Sequence, residues 1–290
     1  MAAGLLAAGV RVVAVAEAGN GLGLARHPLM AMAKTGEAAG YAATLARRRV
    51  PYLTRHAVTA AHGRDEGSVI GVTLARIDRD WNVLSARDLE CDTVAVGYGF
   101  VPQLDLATQL GCPTREDLDG TPVVDVDAAQ LTGVPGVWAA GEPTGVGGWQ
   151  LAETEGRVAG FAIIAHAQRT GAPVPGLLLR RRARLRRFAA ALQRAYPVRP
   201  GWKGWLREDT LVCRCEEVPL SRVREAQALG ATDARSIKLL ARPGMGWCQG
   251  RMCGFAVACL AGENPQPPRR PIAQPITLAA LATPENPQNP

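Results

Sequence analysis

Four cysteines in the last third of the chain have the types and spacing of a metal centre. Cys213 and Cys215 are separated by one residue in VCRCEEV, whereas Cys248 and Cys253 are separated by four in GMGWCQGRMCG. Cysteine thiolates are strong ligands for zinc and for iron–sulfur clusters. The sequence therefore predicts a small domain in which two loops face each other and bring four thiolates together.

The short gap between Cys213 and Cys215 favours an iron–sulfur cluster over zinc. Structural zinc sites usually have about two to four residues between the ligands of one loop. A C-x-C turn presents its sulfurs from one extended loop, which suits different corners of a compact cluster. The glycines of the second loop let backbone N–H groups approach the sulfurs, and GFAVACLAG predicts a helix that begins at Cys253, where its positive end favours an anion. Zinc and four inert buried thiols stay open as alternatives.

CRCEEV followed by SIKLLARPGMGWCQGRMC resembles the bacterioferritin-associated-ferredoxin-like (BFD-like) [2Fe-2S] domain. It is similar to the version carried by flavin-containing subunits of amine and amino-acid dehydrogenases of the opine oxidase, proline dehydrogenase, sarcosine oxidase and hydrogen cyanide synthase type. The resemblance implies that a [2Fe-2S] cluster is held by Cys213, Cys215, Cys248 and Cys253. It also implies a nucleotide-binding flavoprotein fold in the preceding part of the chain.

The first residues are typical of the second strand of a dinucleotide-binding βαβ unit. GLLAAG followed by VRVVAVAE predicts a helix end, a glycine turn and a buried parallel strand over Val12–Ala16. The strand ends at Glu17, which in such a unit contacts a ribose hydroxyl, although a solvated carboxylate is an equal alternative. The strand and turn that bind the pyrophosphate come before this point in the family. We therefore expect the chain to be an N-terminally incomplete member.

A second nucleotide motif is predicted in VWAAGEPTGVGGWQLAE. A strand over Val137–Ala140 is followed by an acid, a glycine-rich loop and a helix that begins near Trp149. This order resembles the second FAD motif of disulfide-reductase-like flavoproteins, which implies that the acid binds the ribityl chain and that the helix N-terminus faces the flavin ring. The acid is Glu142 instead of the usual aspartate, and a surface-loop acid is the alternative. The implied cofactor-binding positions are Gly141, Glu142, Gly147 and Gly148.

Short β-branched runs between the two motifs predict an antiparallel meander. The runs are YLTRHAVTAA, SVIGVTLARI and WNVLS. A return strand is predicted over Thr93–Val96, and a helix over Gln103–Gly111.

These features together predict an α/β chain with an incomplete two-dinucleotide-binding-domain (disulfide-reductase-like) flavoprotein fold, followed by a small helical BFD-like domain. We expect five segments: an N-terminally incomplete nucleotide-binding (NAD-like) domain at 1–100, the C-terminal part of the FAD-binding domain at 101–170, an arginine-rich helix and linker at 171–209, the [2Fe-2S]-binding domain at 210–262, and a proline-rich tail at 263–290.

Composition excludes several classes of function. The 290 residues are 47% hydrophobic and 20% charged, which is ordinary for a globular chain, and six arginines in Arg180–Arg187 supply most of the net charge of +7. Only Phe188 accompanies them, so a solvated basic helix face is favoured over a nucleic-acid surface. No apolar run reaches the about 20 residues of a transmembrane helix. Because no disulfide framework is indicated, we expect a cytoplasmic location.

The expected function is electron transfer within an oxidoreductase that oxidises a C–N bond of an amine or amino acid. No nucleophile-and-base pair and no C-x-x-C dithiol is evident, so no catalytic residue is assigned. The expected cofactors are a [2Fe-2S] cluster, FAD and NAD(P) or another nucleotide, and the expected partner is a flavin-dependent subunit of a hetero-oligomeric dehydrogenase. A ferredoxin-like carrier without flavin and a zinc-stabilised interaction module are the alternatives.

Overall fold

The computed structural model describes residues 1–20, 35–63, 67–169 and 173–267, which fall into two units. The first unit combines Met1–Phe100 with Arg186–Arg207, and the second combines Val101–Leu185 with the chain from Glu208 onward. Most of the predicted proline-rich tail, from residue 268, lies outside the described residues. Among the residues that are described, no helix is long and apolar enough to span a membrane.

The first unit begins with a short helix and a parallel pair of strands. Helix α1 spans Ala2–Ala7, and strand β1 (Val15–Glu17) pairs in parallel with β2 (Tyr52–Thr54). Helix α2 (Thr35–Arg47) lies between these strands along the chain, as a parallel connection requires. The strand predicted over Val12–Ala16 is therefore present, but it is shorter and includes the acid at its end.

The predicted antiparallel meander is confirmed. Strands β3 (His56–Gly63), β4 (Val69–Ile77) and β5 (Val83–Glu90) form a three-stranded sheet in chain order, with β4 in the centre. The strand predicted over Thr93–Val96 is wrong, because these residues form no ladder with any strand of the described chain. A β-branched run becomes a strand only where a neighbouring strand accepts its hydrogen bonds, and here Val96 is exposed.

Two tryptophans attach the C-terminal part of this unit to the meander. The rings of Trp81 and Trp205 stack with centroids 5.9 Å apart, and the Trp205 Nε1–H donates to the Trp81 carbonyl oxygen at 2.9 Å. Both rings pack against the small core of the sheet, which consists of Ala57, Ala75 and Ile77. A 3₁₀ helix over Pro200–Trp205 presents the second ring.

The second unit begins with a short helix, a small hairpin and a long helix. The strand predicted over Val137–Ala140 is not formed as such: Trp138 makes one isolated bridge to Leu131. The helix predicted to begin near Trp149 is confirmed, as is the one predicted within Gln103–Gly111. The elements are, in chain order, α3 (Asp105–Gln109), β6 (Thr114–Glu116), antiparallel β7 (Pro122–Val124) and α4 (Trp149–Ala167).

The arginine-rich segment forms the predicted helix α5, Gly176–Ala195. Its first half belongs to the second unit and its second half to the first. Near its start, Arg181 lies 3.6 Å from the exposed carboxylate of Glu153, while Arg182 reaches the buried carboxylate of Glu155 at 3.5 Å. At least part of the positive charge of α5 therefore stabilises contacts with α4.

The cysteine-containing part of the second unit is a strand pair followed by three short helices. The helix predicted from GFAVACLAG is confirmed as α8 (Gly254–Ala261). Helix α7 (Ala234–Ala241) begins with a capping box, in which the Asp233 carboxylate accepts from the Ser236 N–H at 2.6 Å. The core of this part includes one apolar side chain from each of the three helices: Val223, Ile237 and Val257. The elements are β8 (Leu211–Cys213), β9 (Val218–Pro219), α6 (Leu220–Ala228), α7 (Ala234–Ala241) and α8 (Gly254–Ala261).

Candidate cofactor sites

The four predicted metal ligands come together in two pairs. Cys213 ends β8 and interacts with the thiol of Cys253, which directly precedes α8. Cys215, in the turn after β8, interacts with the thiol of Cys248. The two cysteines of the C-x-C turn thus have different partners in the second loop, as the short gap between them requires.

Glycines in the second loop make this approach possible. Gly244 adopts a φ of +75° and donates its N–H to the Cys213 sulfur at 3.5 Å. A Cβ atom at Gly246 would lie only 2.6 Å from the Cβ of Cys215, so a larger residue would push the two loops apart. The predicted role of the glycines, to let backbone N–H groups reach sulfur, is realised at Gly244.

Backbone donors and burial divide each pair into a more acidic and a less acidic thiol. Burial by itself raises the pKa of Cys213, but N–H groups led by that of Gly244 hold this pKa below its ordinary value. Burial and the Cys213 thiol together raise the pKa of Cys253 to about 12. In the other pair, the hydrogen bond to Cys248 raises the pKa of Cys215. The pKa of Cys248 is lowered despite burial, chiefly by the N–H of Met252.

The four thiols differ in their exposure to water. Cys213, Cys248 and Cys253 are buried, and Cys215 is half-buried. Across the described ranges, no three cysteine, histidine or acidic side chains converge on a point that would hold one metal ion.

The residues of the predicted flavin motif lie at the start of α4, in the same unit. Gly141 and Gly148 have φ angles of +81° and +80°, which non-glycine residues rarely adopt. Glu142 is half-buried in a 3₁₀ turn, and Trp149 at the first position of α4 is 73% exposed. Gly147 lies in the loop that connects the turn to the helix. The loop therefore leaves a helix N-terminus accessible to a ligand.

Sequence reasoning missed the residue that holds this turn in place, Glu155. It is completely buried on α4, and its Oε2 accepts hydrogen bonds from the Gly141 N–H and from the Thr144 hydroxyl, both at 3.0 Å. Its other oxygen faces Arg182 of α5 at 3.5 Å. A buried carboxylate needs such partners to stay charged. Glu155 thereby fixes the geometry of the turn that carries Glu142.

Glu17, the predicted ribose-contacting acid, lies in the first unit. Its carboxylate accepts a hydrogen bond from the Tyr52 hydroxyl of the neighbouring strand. Burial and Glu17 raise the pKa values of both Tyr52 and Tyr196. The acid is therefore flanked by two tyrosines at the carboxyl end of β1, and it can still accept further hydrogen bonds there.

The fold is that of a dinucleotide-binding oxidoreductase. Residues 14–166 match the family described as pyridine nucleotide-disulphide oxidoreductase, which comprises FAD/NAD-binding oxidoreductase domains. The chain belongs to this family.

Several known proteins are similar to the chain. The hydrogen cyanide synthase subunit HcnB of Pseudomonas aeruginosa is 34% identical over 262 residues, covering 86% of this chain and 55% of that subunit. An opine oxidase subunit of Agrobacterium tumefaciens is 32% identical, over 68% and 42% of the two chains. The crystal structure of L-proline dehydrogenase from P. horikoshii has the same fold, with a TM-score of 0.61 and 20% sequence identity. This match covers 93% of this chain and 50% of that chain. The chain therefore spans about half the length of the relatives it matches.

Proposed function

We propose that this chain is an electron-transferring part of a flavin- and [2Fe-2S]-dependent oxidoreductase that acts on the C–N bond of an amine or amino acid. The proposed ligands of the cluster, in a BFD-like domain at residues 210–262, are Cys213, Cys215, Cys248 and Cys253. The substrate class is carried over from the names of the similar proteins, an opine oxidase and an L-proline dehydrogenase. Since HcnB and the similar opine oxidase chain are both named as subunits, the proposed partner is a flavin-dependent subunit of the same enzyme.

The pairing of thiols across two loops is the observation that carries the proposal. Each iron of a [2Fe-2S] cluster takes two protein thiolates, whereas a structural zinc ion takes four sulfurs around one point. The contacts of Cys213 with Cys253 and of Cys215 with Cys248 suit the first arrangement. The N–H that Gly244 directs at a sulfur supports it as well, because hydrogen bonds to sulfur tune the potential of such a cluster.

The residues around the thiols suit an electron relay. The cluster, when bound, supplies one-electron transfer. Burial of three of its proposed ligands keeps water away from the sulfurs. Trp247 and Met252, which directly flank Cys248 and Cys253 in sequence, are 77% and 65% exposed. A redox partner can therefore approach the second loop closely without the domain opening.

For FAD, the proposal assigns the ribityl contact to Glu142 and the contacts near the ring to the backbone of Gly141, Gly147 and Gly148. The left-handed backbone at Gly148 and the accessible start of α4 support this assignment, because N–H groups at the start of a helix suit an electron-rich ligand. The Gly141 N–H is already donated to Glu155, so Gly141 would contribute by the close approach of its backbone. Glu17 is proposed to contact the ribose of an NAD(P)-type nucleotide. Flavin bound to the purified chain would favour this proposal over a ferredoxin-like carrier.

The cysteine assignment is tested by electron paramagnetic resonance of anaerobically purified, reduced protein. The wild-type chain should give a [2Fe-2S] signal, and Cys213→Ala and Cys248→Ala should each abolish it, since each removes one thiolate from a different pair. Cys91→Ala and Cys259→Ala are the matched controls and should keep the signal. A normal cluster in both ligand variants would show that the ligands are assigned wrongly.

A separate assay tests the role as an electron-transferring part. With an artificial electron acceptor, the chain alone should not oxidise amino acids, because it contains no assigned acid, base or nucleophile for the substrate. Adding a flavin-bearing partner should restore turnover. Turnover by the chain alone would contradict the proposal, and one zinc per chain without iron would favour the zinc-stabilised module instead.

A further inference from the structure

An ion pair links the second cysteine loop to the segment that precedes the nucleotide-type turn. Arg251, between Cys248 and Cys253, places its Nη2 3.2 Å from the Asp105 carboxylate in the first turn of α3. Its Nη1 donates to the Cys248 carbonyl oxygen at 3.1 Å. The two side chains are only 21% and 12% exposed. One guanidinium thus contacts both the loop that carries two proposed ligands and a distant part of the same unit.

The loop itself is held in an unusual backbone conformation that Arg251 supports. Gln249 and Gly250, which precede it, have φ angles of +53° and +84°. The left-handed conformation is unfavourable for glutamine and persists only where surrounding contacts impose it. Arg251 donates both its backbone N–H and its Nη1–H to the Cys248 carbonyl oxygen, at 3.2 and 3.1 Å, and so holds the loop at Cys248.

The charge of Arg251 also acts on whatever the loop binds. Reduction adds one electron to a [2Fe-2S] cluster and so adds one negative charge, which a nearby cation stabilises. Asp105 partly cancels that cation. Since both side chains are largely shielded from water, their fields are less screened than those of surface charges.

We infer that Arg251 is a positioning residue that, together with Asp105, sets the reduction potential of the cluster held by the cysteine loops. This inference rests on the proposed function, because it requires that a cluster binds. It assigns opposite roles to the two charges: Arg251 raises the potential and Asp105 lowers it. A merely structural ion pair would not produce effects of opposite sign.

Redox titration of the full chain, followed by its electron paramagnetic resonance signal, tests the inference. Arg251→Gln should lower the midpoint potential and Asp105→Asn should raise it. We expect each to change the ratio of reduced to oxidised cluster by about tenfold at the wild-type midpoint, which corresponds to about 59 mV for one electron. Arg251→Lys keeps the charge and should stay close to the wild-type potential.

The matched control is Arg222→Gln, which removes a guanidinium from an exposed pair with Glu225 in the same domain. This change should leave the potential unchanged, because exposed charges are strongly screened. Unchanged potentials in both Arg251→Gln and Asp105→Asn, or shifts in the same direction, would overturn the inference while the proposed function stands. Absence of any cluster signal in the wild-type chain would overturn both.

Discussion

Replacing Glu155 by glutamine tests whether this buried carboxylate holds the nucleotide-type turn. The change keeps the shape of the side chain but removes its charge. In the wild-type protein, Oε2 of Glu155 accepts from the Gly141 N–H and from the Thr144 hydroxyl, each at 3.0 Å. A glutamine has only one acceptor oxygen and an NH₂ donor, so it cannot replace every bond that the two carboxylate oxygens accept. The substitution also removes the negative partner of Arg182. Glu153, on the exposed side of α4, provides the matched control.

The expected loss in the free energy of unfolding follows from the contacts of Glu155. Each hydrogen bond to a charged group is worth about 1.5–3 kcal/mol, and breaking a buried ion pair costs about 3–5 kcal/mol. Since glutamine keeps one acceptor, Glu155→Gln should lower the free energy of unfolding by about 2–4 kcal/mol. Glu153 pairs with Arg157 and Arg181 at 3.9 and 3.6 Å, but these pairs are exposed. Glu153→Gln should therefore cost about 0–1 kcal/mol.

The assay is urea denaturation followed by circular dichroism, with the two variants compared at a common m-value. A similar small cost for Glu155→Gln and Glu153→Gln would refute the reasoning, because it would mean that the buried contacts contribute no more than exposed ones. Hydrogen exchange at the Gly141 amide adds a local test. That amide should exchange faster in Glu155→Gln and at the wild-type rate in Glu153→Gln.

Two further predictions concern the cysteine-containing domain. Gly246→Ala should lose most of the cluster signal, because the added Cβ would lie 2.6 Å from the Cβ of Cys215. Gly254→Ala is the control and should keep the signal, because a Cβ added there has nothing within 4 Å. Equal iron contents in the two variants would contradict this prediction. Asp233→Ala should lower the melting temperature at neutral pH by removing the cap that accepts from the Ser236 N–H. Because these hydrogen bonds lower the pKa of Asp233 in the folded state, the difference from wild type should be full above about pH 4 and shrink as the pH falls through the folded-state pKa; a difference that grows on acidification would contradict this.

Local patterns predicted some of the helices and strands. Alternating and β-branched runs predicted β3, β4 and β5. The glycine-rich loop predicted the start of α4, the helical spacing of apolar residues predicted α5, and the apolar run after Cys253 predicted α8. The strand expected over Thr93–Val96 failed because strand formation depends on a neighbour that the sequence of the run does not specify. The one expected over Val137–Ala140 is reduced to a single bridge for the same reason.

Buried charges were harder to predict than backbone elements. A signal for Glu155 was present: it occupies the buried stripe of α4 with Leu151, Thr154, Val158 and Ala159. Its spacing alone could have marked it as a buried acid. The pair of Arg251 with Asp105 had no such signal, because its members are far apart in sequence and each resembles a surface residue. The roles of the cysteines and of Glu142 and Glu17 stay predictions.

The most direct test of the proposed function is a joint assay of iron, acid-labile sulfide, zinc and flavin in the anaerobically purified chain, with Mössbauer spectroscopy of the iron. The proposal predicts about two irons and two sulfides per chain in a [2Fe-2S] centre, with flavin bound alone or once a partner subunit is added. One zinc per chain with no iron or sulfide would contradict the proposal, because Cys213, Cys215, Cys248 and Cys253 would then hold a zinc ion.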